Sequence, residues 1–95
     1  MTKSDSVTIH VPPPLRERCG GVSELFVLAD SVRATLEWIE RTHPELYRGI
    51  CDDTGAVRRH INIFVNTSSI RDEQGLDTAV GPGDIVTIMP AVSGG

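Results

Sequence analysis

The residues of this 95-residue chain that offer the most specific chemistry stand at its end, where Pro90-Ala91-Val92-Ser93-Gly94-Gly95 follows an apolar alternating segment. With no Cβ on Gly94 and Gly95, the stretch fits a channel too narrow for any other residue type, and four extended residues from Val92 reach about 13–14 Å. Such a tail can carry its carboxyl group into the active site of another protein. An α-carboxyl has a pKa of about 3.3–3.7, so at neutral pH it is an anion that resists nucleophiles until it is activated, for example by adenylation. The expected role is therefore substrate and not catalyst. Glycine makes up about 7% of average composition, so a terminal pair arises by chance in about 0.5% of chains. Its weight comes from the strand-like segment before it.

No other reactive side chains form a constellation of comparable specificity. Cys19 and Cys51 are two thiols, where a tetrathiolate zinc site or a plant-type iron–sulfur cluster needs four. Both read as free thiols of a reducing, cytoplasmic compartment, and Cys19, without an assured cationic neighbour, as inert. His10, His43 and His60 lack metal-ligand spacing. Asp52-Asp53-Thr54-Gly55 lacks the alternating oxygen ligands of a calcium loop and reads as a turn. Gly81-Pro82-Gly83 lacks the Gly-Lys-Ser/Thr of a phosphate loop, and no serine sits in a Gly-x-Ser-x-Gly setting. The chain is expected to bind no metal or cofactor of its own and to be no enzyme. Arg58, Arg59 and Arg71 read equally as an edge facing an acidic partner and as a solvated charged edge.

The elements that must position the tail follow from pattern. The composition, 39% hydrophobic with 23% charged residues, suits one domain over residues 1–95, with 1–6 a loose N-terminus and 92–95 a flexible tail. A net charge of −4 repels a phosphate backbone, so nucleic acid is not an expected partner. No apolar run approaches the ~20 residues that span a bilayer, so no membrane is expected either. Val7 to Val11 alternates and stops at Pro12-Pro13-Pro14; Ser23 to Leu28 gives a second strand, the two forming a hairpin with a long loop. Behind the capping residues Asp30 and Ser31, the positions Val32, Leu36, Ile39 and His43 mark one face of a helix that Pro44 ends. Ile61, Ile63 and Val65 mark a third strand, Ile70 to Val80 short local elements, and Asp84 to Met89 a last strand. The order is an α+β pattern with a single helix to cover one face of a mixed sheet. Side-chain alternation then places Phe64 and Met89 on the uncovered face, where they can dock a partner while its active site receives the tail.

This arrangement, with Pro12-Pro13-Pro14-Leu15-Arg16 after the first strand, Ile63-Phe64-Val65-Asn66 in the third, Gly81-Pro82-Gly83-Asp84-Ile85-Val86 before the last and the Pro-Ala-Val-Ser-Gly-Gly ending, resembles the MoaD/ThiS family of ubiquitin-like sulfur carriers. Its length and ending are most similar to the CysO-like branch. The resemblance implies a β-grasp fold with an extended C-terminal tail. It also implies that an adenylyltransferase/sulfurtransferase of the ubiquitin-activating type, using ATP and Mg, adenylates Gly95 and converts it to a thiocarboxylate. Gly94, Ser93 and Val92 would be the threaded tail. A sulfide-accepting biosynthetic enzyme would then take the sulfur, for cysteine synthesis first, with molybdopterin, thiamin or a sulfur-containing secondary metabolite as other ends. The alternative is a protein modifier joined to lysines through the same glycine. The segments Glu17 to Leu28 and Cys51 to His60 are longer than in minimal carriers of this kind.

Overall fold

Alternation in Val7-Thr8-Ile9-His10 produces the first strand, β1 (Val7–His10), in a computed structural model that describes residues 5–91 of the chain. The residues expected at the tip of the N-terminus, up to 4, and the tail residues Val92, Ser93, Gly94 and Gly95 lie outside the described residues. The prolines end β1 because their rings supply no ladder donor. The connection expected as a plain loop instead folds into a 3-10 helix, Pro13–Cys19, before β2 (Glu24–Val27), which pairs antiparallel with β1. Ser31 caps α1 (Val32–Thr42), its hydroxyl oxygen accepting the Ala34 N–H at 3.0 Å and satisfying one orphan donor of the first turn. Val32, Leu36 and Ile39 form its buried stripe, joined by Thr35, whose hydroxyl donates to the Ser31 carbonyl at 2.9 Å.

Pro44 does end α1, but the expectation of a single helix is corrected: a second helix, α2 (Pro44–Ile50), starts at that same proline. The residue before a proline is pushed out of the helical region, and His43 sits at φ −139° and ψ 68°. Proline is nonetheless well suited to a first helical position, where its missing N–H is not needed. Leu46 and Ile50 are wholly buried, and α2 packs on both α1 and the 3-10 helix.

Five strands then form one sheet in the order β2-β1-β5-β3-β4, with β3 (Ile61–Val65), β4 (Ser68–Ser69) and β5 (Ile85–Pro90). The segment between β4 and β5 makes the short elements expected, 3-10 turns at Ile70–Asp72 and Gly75–Asp77. β1 and β5 are parallel and the other pairs antiparallel. The mixed sheet, with α1 as the main helix on one face, is the α+β, β-grasp arrangement that the resemblance implies. Val7, Ile9, Ile61, Ile63, Val86 and Ile88 line its inner face and join Val32, Leu36, Ile39, Leu46 and Ile50 in one buried cluster.

Candidate functional site

The last strand in sequence is the middle strand in space, and this fixes where the tail begins. At its entry, Asn66 adopts a left-handed conformation, φ 56°, that asparagine tolerates better than most residues. Its side-chain oxygen accepts the Ile85 N–H at 3.0 Å, its amide nitrogen donates to Asp84 Oδ1 at 3.2 Å, and its backbone N–H donates to the Ile85 carbonyl at 2.7 Å. Asp84 in turn accepts from the Gly81 N–H through Oδ2 at 2.9 Å, and its carbonyl accepts from Thr8 at 3.0 Å. At the exit, Pro90 lies opposite Ile61, and the Ala91 N–H donates to the His60 carbonyl at 2.5 Å. The backbone is thus tied to the sheet up to the residue immediately before Val92. The Ile-Phe-Val-Asn and Gly-Asp-Ile-Val segments stand out in the sequence, but that Asn66 and Asp84 clasp each other follows only from the fold.

The pleat brings Phe64 and Met89 onto the same outer face. Phe64 stands opposite Thr87 and Met89 opposite Asn62, which makes the two diagonal neighbours about 7–8 Å apart. Met89 is 48% exposed, while Phe64 is half-buried among its cross-strand neighbours. One row of paired positions, Glu24, His10, Thr87, Phe64 and Ser69, runs across all five strands. Within it His10 Nε2 meets Glu24 Oε2 at 2.9 Å. Phe26, 44% exposed and paired with Thr8, extends the apolar part of this face. Alternation alone marks it as outward-facing, out of phase with the core-facing Leu25 and Val27.

The remaining candidates stand elsewhere. Cys19 and Cys51 are both free and buried, at 7% and 1% exposure, and burial pushes each thiol above its ordinary pKa. Cys51 and Tyr47, whose hydroxyl is likewise pushed up by burial, both line a groove of ≈ 590 Å³ beside α2. Both groups are neutral at neutral pH, so the groove holds no activated nucleophile. Each thiol is expected to react with iodoacetamide at least about tenfold more slowly in the folded protein than in urea; a solvent-exposed rate at either site contradicts this reading. Asp52 builds the expected turn: its carboxylate accepts from the Thr54 N–H, the Thr54 hydroxyl and the Ala56 N–H, and the Thr54 bonds hold it below the usual carboxylate range. His43 caps α1 beside Trp38, and His10 sits on the outer face, so the histidines do not converge. Arg71 reaches the Ile61 carbonyl, whereas Arg58 turns towards α2. Among the described residues no three His, Cys, Asp or Glu gather into a metal site, and no helix is long and apolar enough to cross a membrane.

Comparison with known proteins places these features in context. The ThiS family matches residues 9–95. The sulfur carrier protein CysO of Mycobacterium tuberculosis is 35% identical over 92 residues, 95% of this chain and 99% of that protein. The crystal structure of a BexX/CysO complex from Amycolatopsis orientalis contains a chain with a TM-score of 0.84 and 31% identity, covering 94% of this chain and 99% of that one. The solution structure of small archaeal modifier protein 1 from Methanosarcina acetivorans follows at a TM-score of 0.83 and 29% identity, covering 95% of this chain and 96% of its own.

Proposed function

The chain belongs to the ThiS family, and from that membership we propose that it is a sulfur carrier whose Gly95 carboxyl is adenylated and converted to a thiocarboxylate. The observation that carries the reading is the 35% identity to a sulfur carrier across 99% of that protein's length. The chemistry suits the architecture. The Gly95 carboxylate attacks the α-phosphorus of ATP, pyrophosphate leaves, and the mixed anhydride so formed is the electrophile that the free carboxylate was not. Sulfide then attacks the acyl carbon and expels AMP, leaving a carbon–sulfur bond. Mg and ATP belong to the activating partner, and the chain contributes the carboxyl group, the slim tail and a body to be held. The acceptor enzyme we place first among those that form cysteine. The experiment is to supply the adenylating enzyme with ATP, Mg and sulfide and follow pyrophosphate release, which should require this chain and stop once each copy is converted.

The outer face is the second part of the proposal. A tail of four residues reaches an active site only if the body at its root is held, and Phe64 and Met89 supply apolar area there. Phe64→Asp is expected to fold normally, because Phe64 points away from the core, and to slow loading about tenfold or more. Unchanged loading would place the docking face elsewhere, and loss of the fold would return Phe64 to the core. The likeness to small archaeal modifier protein 1 supports the second reading, conjugation through the same glycine. In that case Gly95 would form an isopeptide bond with a lysine and acquire no sulfur.

A further inference from the structure

We infer that a pocket formed by Arg18, Arg48 and Arg58 beside His60 docks a carboxylate-rich surface at the active-site entrance of the enzyme that adenylates Gly95, an inference that rests on the carrier reading. The pocket, of ≈ 330 Å³, is lined by Leu15, Arg18, Arg48, Gly49, Arg58 and His60. Three guanidinium groups and no carboxylate thus line one depression in a chain whose net charge is −4. The His60 carbonyl accepts the Ala91 N–H, so the pocket borders the point where the chain passes on to Val92.

These arginines are also held in place. Arg18 Nη1 donates to the Glu45 carbonyl at 3.3 Å, and Arg58 Nε donates to the Arg48 carbonyl at 2.8 Å, while the Arg58 N–H takes the Ile50 carbonyl at 2.9 Å. Most of these acceptors are orphan carbonyls of the last turn of α2, which both need donors and favour cations. A Cβ on Gly49 would come within 2.9 Å of Leu15 Cδ2 and 3.2 Å of Arg18 Cδ, so its bare backbone lets the Arg18 stem lie across the helix. Arg48 pairs with Glu45 within its own helix. Among the described residues no carboxylate forms an ion pair with Arg18 or Arg58. Two positioned forks are therefore left with donors for carboxylates from outside.

Of nine cationic residues in the chain eight are arginine, and its one lysine is Lys3. A guanidinium recognises carboxylates in a planar, two-pronged manner and stays protonated, whereas a lysine amine is a nucleophile when it deprotonates. Next to an activated acyl group, arginine supplies the charge without competing for the acyl carbon.

The test is calorimetric titration of the full chain against the adenylating enzyme. The affinity of the unaltered chain should fall between about 0.05 M and about 0.5 M salt, as screening shortens the reach of the pocket. The double variant R18E/R58E should bind about tenfold more weakly or worse, and R18K/R58K, which keeps the charge but loses the planar fork, should bind more weakly than the parent and more tightly than R18E/R58E. If the reversed variant does not fold, R18Q/R58Q takes its place, with an expected loss of about threefold or more. Equal affinity of the neutral or reversed variant and the parent, or an affinity indifferent to salt, overturns the docking site. Sulfur loading of the unaltered chain is scored separately: its absence counts against the carrier reading, whereas the affinities alone decide the pocket.

Discussion

Removal of Gly95, or addition of one residue after it, is expected to abolish sulfur loading and leave the folded body unchanged. Either change displaces or replaces the reacting carbon by about 3.3–3.6 Å along an extended chain. A displacement of only ~1 Å already costs about a hundredfold in rate, so both variants should load at least about a hundredfold more slowly. The body should not register the change. The core residues run from Val7 to Ile88, and the last sheet-edge bond described is made by Ala91. Matching thermal melts with parent-like loading of the deletion variant would refute the assignment of Gly95.

The second large effect concerns stability. Leu46→Ala should cost about 2–5 kcal/mol in urea unfolding, because it opens a cavity at a wholly buried position of α2, the helix that packs on α1 and the 3-10 helix. A domain of 95 residues holds only about 5–14 kcal/mol in total, so the loss is a large fraction. The same variant loosens the helix whose carbonyls hold Arg18 and Arg58. A cost below about 1 kcal/mol would mean that α2 is an appendage and not part of the core.

What was legible beforehand follows from the range of each signal. Period-two alternation in Ile61-Asn62-Ile63-Phe64-Val65 is local, and it located β3 and its two faces; Ser31 and the stripe Val32, Leu36, Ile39 likewise located α1. α2 escaped because seven residues present only two turns, and because Pro44, read as a stop, is also a favourable first residue. The 3-10 helix after β1 escaped for the same reason, its prolines marking the end of one element and the start of another. Alternation could say that Phe64 faces away from the helix, but not that its cross-strand neighbours half-bury it. Nor could spacing reveal the clasp between Asn66 and Asp84 or the meeting of Arg18 with Arg58, since each pair is joined only by the path of the fold. Alternation was enough to put Phe64 and Met89 on one outer face, but the strand order that sets β5 in the middle was not legible, because it depends on pairings between segments far apart in sequence. Gly95 itself lies outside the described residues, so its role rests on its place in the sequence and on the family.

The most direct measurement of that role is the intact mass of the unaltered protein after incubation with its adenylating enzyme, ATP, Mg and a sulfide source, followed by fragmentation to locate any change. Each molecule should gain the mass difference of one oxygen replaced by sulfur, and the gain should appear only in fragments that contain Gly95. An unchanged mass under conditions where pyrophosphate is released, or linkage of Gly95 to lysines with no thiocarboxylate formed, would contradict the account, the second outcome in favour of a protein modifier.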